Sequence, residues 1–299
     1  MAEFFQHIIN GLSVGAIYAL IALGYTMVYG VLKLINFAHG DVFMIGAMVG
    51  WYVARWTGES RTPSIPGALL VTLAAMAACA ILGFVIERLA YRPLRSSPRL
   101  NSLITAIGVS FFLEYGGQYV FGPNPRAFNV LPRHLAQHVG PVSLGYVDIV
   151  TIIVSVALML LLQRIVFHTR IGTAMRAVSY NSTVASLMGV NIDLVISFTF
   201  VLGSVLAAVA GILYASKYPS VQPLMGLMPG LKAFVAAVLG GIGNVPGAML
   251  GGLVLGLAEQ LVSGYLSSSW RDAVAFGILI LVLLVRPSGL LGRGEAEKV

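Results

Sequence analysis

The chain has 299 residues, of which 58% are hydrophobic and only 10% are charged, with a net charge of +7. A soluble domain carries about 25% charged residues, so this composition excludes a protein that exposes its whole surface to water and indicates a membrane protein. The basic residues lie in short loops between apolar runs, where they orient a membrane protein, so the positive charge does not predict nucleic-acid binding. No polar linker divides the chain, and we predict a single transmembrane permease domain over residues 1–299.

Apolar runs follow one another along the chain. A spanning helix needs about 20 apolar residues, because the hydrocarbon core is about 30 Å thick and each helical residue rises about 1.5 Å. Four runs meet this requirement, and a fifth meets it although it contains Glu114; in chain order they cover residues 8–31, 67–86, 102–121, 149–162 with flanks, and 194–216. Three further runs, over residues 39–56, 233–258 and 273–285, are short or interrupted.

The run over residues 233–258 is divided by glycine and proline at positions 240–247. We therefore predict a half-length or re-entrant helix followed by a second helix. Strands are excluded because open sheet edges are unstable in lipid and the runs do not alternate in polarity. The predicted fold is an all-α integral membrane protein, a polytopic bundle of about eight or nine membrane segments with broken or re-entrant helices. An inverted repeat relating the two halves is a further hypothesis.

Two interrupted segments are candidates for the substrate pathway. In transporters, broken helices in corresponding halves often mark the binding site, because their freed backbone groups face a cavity. The alternative is that each segment is simply a loop end at the membrane surface. The candidate residues are Asn36, Phe37, His39 and Asp41 in the first segment, and Gly241, Gly243 and Asn244 in the second.

Three acidic residues lie within apolar runs, where ionisable groups are costly and usually face protein or water. Asp41 begins a run, so it either caps a helix with a favourable dipole contact or contacts substrate. Glu114 and Glu259 either pair with polar groups on neighbouring helices or relay protons. These residues keep a proton-coupled mechanism open.

The longest polar stretch on the face that is predicted below to be cytoplasmic covers residues 170–193, and it also contains small and apolar side chains. This pattern predicts a short amphipathic helix at the membrane surface. Such a helix either docks in a groove of a partner protein or lies on lipid.

Counting lysine and arginine in alternate loops places 11 of them on one face and 7 on the other. The richer face is predicted to be cytoplasmic. It includes the loop at residues 88–99, the stretch at residues 164–176, and the tail with Arg286, Arg293 and Lys298. The C-terminus is therefore predicted to be cytoplasmic.

Motifs of catalysis are absent from the sequence. No phosphate-binding loop, nucleophile elbow or zinc-protease motif occurs, and the five histidines are scattered. We therefore predict no catalytic residues, no metal site and no cofactor. Energy for transport must come from a partner protein or from an ion gradient.

Several stretches resemble the branched-chain amino-acid ABC transporter permease family, most closely the shorter of its two permease paralogues. They cover residues 24–30, 35–40, 87–95, 103–108, 233–243, 246–248 and 281–289, which include Asn-Phe-Ala-His-Gly and Glu-Arg-Leu-Ala-Tyr-Arg-Pro-Leu-Arg. The resemblance implies a subunit of an ATP-driven importer in the bacterial inner membrane, which moves branched-chain amino acids by alternating access. Leucine, isoleucine and valine are the default substrates, although other family members carry urea, other amino acids or short amides.

The resemblance also implies partners: a second paralogous permease, two cytoplasmic ATP-binding subunits, a periplasmic substrate-binding protein and membrane lipid, but no nucleic acid. It further implies that residues 170–193 couple the permease to the ATP-binding subunits, with Arg176, Asn181, Gly189 and Asn191 on the family pattern. We call residues 170–193 the coupling segment. The alternative function is a proton-coupled secondary amino-acid transporter. An intramembrane enzyme is disfavoured, because no catalytic constellation is present.

Overall fold

A computed structural model of the chain describes residues 2–95, 97–132, 137–139 and 142–292. Arg133, Arg293 and Lys298, which entered the charge count, lie outside these residues. The helices are α1 (Ala2–Leu32), α2 (His39–Thr57), α3 (Ile65–Ile86), α4 (Arg99–Phe121), α5 (Tyr146–His168), α6 (Arg170–Tyr180), α7 (Ser182–Leu187), α8 (Ile192–Lys217), α9 (Leu227–Gly240), α10 (Val245–Tyr265) and α11 (Arg271–Val285). The strands are β1 (Arg126–Ala127), β2 (Gln137–Val139), β3 (Val142–Leu144) and β4 (Ser220–Val221); β1 pairs with β4 and β2 with β3, both antiparallel.

The helical membrane architecture predicted from composition is confirmed. Within the described residues, six helical stretches are long and apolar enough to cross a membrane: Glu3–Leu32, Ile65–Leu94, Tyr146–His168, Ile192–Lys217, Val245–Tyr265 and Ser268–Val285. The helix α9 is apolar but has only 14 residues, and the longer α2 and α4 carry too many polar groups to meet the same criterion. The count of eight or nine membrane segments and the inverted repeat therefore stay predictions.

The bundle has two distinct ends. At one end, Ser179 of α6 donates a hydrogen bond to the carbonyl of Gly30, and Asn244 donates one to the carbonyl of Leu291. This end, which we call the basic end, also holds Lys33, Arg92, Arg95, Arg176 and Arg286. At the opposite end, Gln6 of α1 accepts a hydrogen bond from the backbone of Ser143, and Lys217 pairs with Asp148.

The two helices at the centre, α1 and α10, pack unusually close together. A Cβ atom added to Gly15 would lie 2.9 Å from the carbonyl oxygen of Gly252, and one added to Gly256 would lie 2.3 Å from the backbone of Gly15. Small residues at membrane helix contacts allow this approach. Lipid is as apolar as the helix surface, so close van der Waals packing, and not the hydrophobic effect, holds such helices together. The core of the bundle therefore forms around a glycine seam between α1 and α10.

The predicted break in the apolar run after residue 233 is confirmed. The helix α9 ends at Gly240, and α10 begins at Val245. The side-chain oxygen of Asn244 accepts a hydrogen bond from the backbone N–H of Gly247 at 3.1 Å, and Pro246 occupies the first turn of α10. This is a helix start of the ordinary kind, with a polar cap and an early proline.

A charge network joins α1, α9, α10 and the first turn of α11. Lys232 of α9 lies 2.9 Å from a carboxylate oxygen of Glu259 in α10 and 2.7 Å from one of Asp272 in α11. The hydroxyl of Tyr18 in α1 donates to the other oxygen of Glu259 at 3.0 Å. Lys232 and Glu259 are both buried. The sequence left the role of Glu259 open between a structural partner and a proton relay, and the structure gives it Lys232 as an ion-pair partner and Tyr18 as a hydrogen-bond donor.

The tryptophans all lie at the opposite end. The indole N–H of Trp51 donates to the carbonyl of Ala127 at 2.9 Å, and the guanidinium of Arg126 stacks 4.5 Å from the Trp51 ring centre. Trp56 is exposed near the end of α2, and Trp270 is exposed immediately before α11. Tryptophan is typical of the membrane–water boundary, where its ring meets apolar and polar surroundings together.

Candidate substrate pathway and coupling segment

The helix α2 begins deep inside the bundle. The imidazole of His39 packs against Gly24 so closely that a Cβ atom there would lie 2.1 Å from Nε2. Since Gly24 precedes the end of α1 at Leu32 by eight residues, α2 starts about 12 Å inward from that end, at about 1.5 Å per residue. The first interrupted segment therefore returns the chain into the bundle before α2 begins.

A second helix begins at the same place. A Cβ atom added to Gly226, which precedes α9, would lie 2.1 Å from the carbonyl oxygen of Gly40. One added to Gly230 would lie 3.0 Å from the Cα atom of Gly40. The N-terminal ends of α2 and α9 thus meet inside the bundle. Each end carries backbone N–H groups without helical partners and a partial positive charge.

A cavity of about 170 Å³ opens beside this meeting point. It is lined by residues of α1, α2, α4 and α9 and of the chain that precedes α2 and α9: Tyr25, Phe37, Gly40, Asp41, Ile107, Ser110, Glu114, Gly226, Leu227, Gly230 and Leu231. Apolar side chains from three elements thus surround a few polar groups, which is the usual composition of a small-molecule site.

The polar groups of the cavity contact one another. Ser110 of α4 donates a hydrogen bond to Asp41 Oδ2 at 2.5 Å, and the carboxyl of Glu114, one turn further along α4, is within hydrogen-bonding reach of Asp41. Asp41 and Glu114 are buried, with 2% and 5% of their surfaces exposed. Asp41 lies in the first turn of α2, but the N-cap residue of that helix is Ala38. The carboxylate of Asp41 therefore reaches across to α4.

Two of the other first-segment residues lie behind the cavity wall. The buried side chain of Asn36 accepts a hydrogen bond from the Tyr91 hydroxyl at 3.0 Å. The backbone carbonyl of Asn36 accepts from the N–H of His39 at 3.1 Å, so Asn36 shapes the turn into α2. His39 is buried against α1 and is not among the cavity-lining residues.

The second interrupted segment lies elsewhere, at the basic end. A Cβ atom added to Gly241 would lie 2.5 Å from the backbone nitrogen of Gly292, and Gly243 lies beside Gly30 near the end of α1. Gly241 and Gly243 have φ angles of +104° and +92°. Asn244 uses its carbonyl to cap α10 and its amide N–H to hold Leu291. The structure does not bring this segment together with Asn36–Asp41 around the cavity.

The coupling segment consists of two short helices, where the sequence predicted one. Asn181 separates α6 from α7 with extended backbone angles, and its side chain accepts a hydrogen bond from the N–H of Val184. Asn191 caps α8 in the same way through Leu194. An asparagine that caps a following helix competes with continuation of the preceding one, which is the physical reason for the division.

The two other coupling candidates hold the ends of these helices. Gly189 lies two residues after the end of α7 with φ of +84°, and a Cβ atom there would meet no neighbour within 4 Å. The guanidinium of Arg176 donates to the carbonyl of Val166 in the last turn of α5 and lies 5.6 Å from the ring centre of Phe167. A cation at the C-terminal end of a helix stabilises that end, so Arg176 fixes α6 against α5.

An apolar patch extends from the last residue of α6 over α7 and the residue that follows it. Gly172, Met175, Val178 and Ala185 face the bundle and are buried. The exposed side chains are larger: Tyr180 at 95%, Leu187 at 82%, Met188 at 80% and Val184 at 53%. This coupling patch lies at the basic end, next to the end of α1.

Among the described residues, no group of three or more His, Cys, Asp or Glu side chains is arranged to hold a metal ion. Sequence reasoning missed Ser110 and Tyr91 as partners of the pathway residues. An isolated serine or tyrosine in an apolar run carries no periodic signal, and the contacts join residues 69 and 55 positions apart.

Comparison with known proteins gives matches over nearly the whole chain. The sequence model of the family described as "Branched-chain amino acid transport system / permease component" matches residues 7–283. The high-affinity branched-chain amino acid transport system permease protein BraD of Pseudomonas aeruginosa is 44% identical over 305 aligned positions, covering 99% of this chain and 98% of BraD. The proteins of that system named LivH in Escherichia coli and Salmonella typhimurium are each 45% identical, with the same coverage.

Proposed function

Because the chain belongs to the family of permease components of branched-chain amino acid transport systems, we propose that it is one of two membrane-spanning subunits of an ATP-driven importer. The importer carries branched-chain amino acids across the bacterial inner membrane by alternating access. Its other parts are a paralogous permease, two cytoplasmic ATP-binding subunits and a periplasmic binding protein. In this assignment the basic end and the C-terminus face the cytoplasm, in agreement with the excess of basic residues there.

One observation carries the pathway assignment: the starts of α2 and α9 meet beside a cavity that is apolar except for a few polar groups. Irregular backbone at membrane depth is tolerated where it lines a cavity, and helix N-terminal ends favour anionic groups. A free amino acid presents an ammonium, a carboxylate and, in this class, an aliphatic side chain. The carboxyls of Asp41 and Glu114 suit the ammonium, the helix ends suit the carboxylate, and Phe37 and Leu231 suit the side chain.

The coupling patch is the proposed contact with the ATP-binding subunits. It combines exposed apolar side chains with a fixed attachment to α5 through Arg176. An amphipathic element of this kind fits a groove on a partner. Closure of the ATP-binding subunits would then move α6 and α7, and through them the helices around the cavity.

Reconstitution tests the function directly. Liposomes that contain both permeases and both ATP-binding subunits are expected to import labelled leucine only when ATP and the loaded binding protein are present. The permease pair without the ATP-binding subunits is expected to import nothing, with or without a pH gradient. Accumulation by the permease pair under a pH gradient alone would refute the proposal and favour proton-coupled transport.

Neutralising the cavity carboxylate is expected to impair transport. The substitution Asp41→Asn keeps the shape of the side chain but removes a charged partner worth about 1.5–3 kcal/mol. The leucine import rate should fall by about 10- to 150-fold, since 1.4 kcal/mol corresponds to a factor of ten. Glu3→Gln, an equivalent neutralisation in the exposed first turn of α1, serves as the control and should leave import unchanged. Normal import by Asp41→Asn would remove Asp41 from the pathway.

A further inference from the structure

Two sets of polar contacts, joined by one short helical segment, link the coupling segment to the start of α2. Its middle part is a π-helical segment, Glu87–Tyr91, which follows α3 directly. The N–H of Arg92 bonds to the carbonyl of Glu87, five residues earlier, which is the π-helical pattern. Within this segment Glu87 and Tyr91 are buried, at 0% and 2% exposure, while Arg88 is exposed. The segment therefore directs two functional side chains into the protein, four residues apart.

The first contact is with the end of the coupling segment. Asp193 lies in the first turn of α8, two residues after the capping Asn191, and pairs with both Arg92 and Arg95. Arg95 also pairs with the buried carboxylate of Glu87. The other carboxylate oxygen of Glu87 accepts a hydrogen bond from Ser197 of α8 at 2.6 Å.

The second contact is with the substrate pathway. The Tyr91 hydroxyl donates to Asn36 at 3.0 Å, and its ring packs against Phe200 of α8 with ring centres 5.0 Å apart. Asn36 in turn holds the N–H of His39 at the first residue of α2. From Asn36, the next residue, Phe37, already lines the cavity.

We propose that Asp193, Arg95, Glu87, Tyr91 and Asn36 form a polar relay that transmits movement of the coupling segment to the start of α2. We call these five residues the Tyr91 relay. They are positioning residues, because none of Asp193, Arg95, Glu87 or Tyr91 lines the cavity. Glu87 is fully buried, so its ion pair with Arg95 has one preferred geometry, and displacement of Asp193 must shift the π-helical segment as a unit. Discrete arrangements of packed and hydrogen-bonded elements are what couples distant sites.

This inference rests on the proposed function, and its test uses the complete reconstituted importer. The substitution Tyr91→Phe removes one hydroxyl and keeps the ring against Phe200. We expect the number of leucine molecules imported per ATP hydrolysed to fall by about two- to tenfold, because a hydrogen bond of about 0.5–1.5 kcal/mol is lost. Asp193→Asn, at the other end of the relay, should lower the same ratio. Combining the two should give less than the product of the single effects, as for residues of one network.

The control is Tyr18→Phe, which also removes a buried tyrosine hydroxyl, here the one bonded to Glu259. It should lower stability to a similar degree without changing the ratio of leucine to ATP. This comparison separates a coupling defect from weakened folding. An equal loss of the ratio in Tyr18→Phe would overturn the relay.

A second readout follows the pathway itself. Cys79 is the one cysteine of this chain and is fully buried, so Phe37→Cys supplies a reporter thiol whose labelling is measured on the permease after it is separated from its partners. Its reaction with a small water-soluble maleimide is expected to differ between nucleotide-free and ATP-trapped importer, and Tyr91→Phe should reduce that difference. Suppose that the unsubstituted importer works and that Tyr91→Phe keeps both the normal ratio of leucine to ATP and the normal difference in maleimide reaction. The relay is then overturned and the proposed function stands. If the unsubstituted importer shows no ATP-dependent import, the proposed function itself fails.

Discussion

Replacing Lys232 with methionine is expected to destabilise the permease by about 3–5 kcal/mol, the cost of removing one partner from a buried ion pair. The substitution leaves the carboxylate of Glu259 at 2% exposure, with Tyr18 as its remaining partner. Asp272 is half exposed and can be hydrated, so most of the loss comes from Glu259. Titration of the purified permease with SDS, followed by circular dichroism, would measure the change in free energy of unfolding.

Two further variants identify the cause of this loss. Adding Glu259→Gln to Lys232→Met removes the uncompensated charge, so the double variant should be more stable than Lys232→Met alone. Lys217→Met breaks the ion pair between Lys217 and Asp148, whose two side chains are 13% and 17% exposed. Because this pair is less buried, its loss should lower the free energy of unfolding by a smaller amount. A double variant less stable than Lys232→Met would show that Glu259 is not harmed by losing Lys232.

The second large effect is expected at the corner between α5 and α6. Gly172 packs so tightly that the Cβ atom of alanine would lie 2.2 Å from the carbonyl oxygen of Ile165 and 2.3 Å from that of Val166. These are backbone atoms, so α6 must move away from α5, and the cap from Thr169 to the N–H of Gly172 is disturbed as well. Gly172→Ala should therefore displace the coupling patch while leaving the membrane helices inserted.

The expected result is loss of coupling. A loss of about 1–3 kcal/mol in coupling free energy corresponds to a coupling factor that is about 5- to 150-fold smaller. Leucine import by the reconstituted complex should fall in this range, while the amount of permease in the membrane stays normal. Gly277→Ala is the matched control, because the same added carbon in α11 meets no neighbour within 4 Å. Full import by Gly172→Ala would show that the position of α6 does not matter.

Substitutions at Gly189 test whether the open space beside it accommodates a partner. If that space accommodates an ATP-binding subunit, a bulky residue such as tryptophan should block docking, whereas asparagine should not. Stimulation of ATP hydrolysis by the permease would report the difference. Equal stimulation with either residue would place the docking surface elsewhere on the coupling segment.

The sequence predicted the parts of this fold that depend on local composition. The apolar length of α1 and α8, the glycine and proline that divide α9 from α10, and the polar coupling segment all have signatures within a few residues. Depth within the bundle has no such signature. Positions 36–41 and 240–247 look alike as interruptions, yet His39 lies well inside the bundle while Gly243 lies beside Gly30 at the basic end.

Partners distant in sequence were also beyond prediction. Asp41 is a first-turn acid by position, and only the packing of α4 against α2 brings Ser110 and Glu114 to it. Asn244 was predicted to lie beside the pathway because it is polar in an apolar run, and the structure shows both ends of its amide engaged by backbone. A capping residue and a substrate contact have the same appearance in sequence, so tertiary structure has to distinguish them.

The placement of the tryptophans has an optical consequence. Trp51, Trp56 and Trp270 are all three of the chain's indoles, and they lie at the end opposite the coupling patch. Tryptophan emission, excited at a wavelength that the chain's 12 tyrosines do not absorb, therefore samples that end alone. A spectral shift on adding a ligand would locate the effect of that ligand at the tryptophan end. Events confined to the coupling patch would leave the emission spectrum unchanged. The unmodified chain therefore reports on events at one end of the bundle without any attached dye.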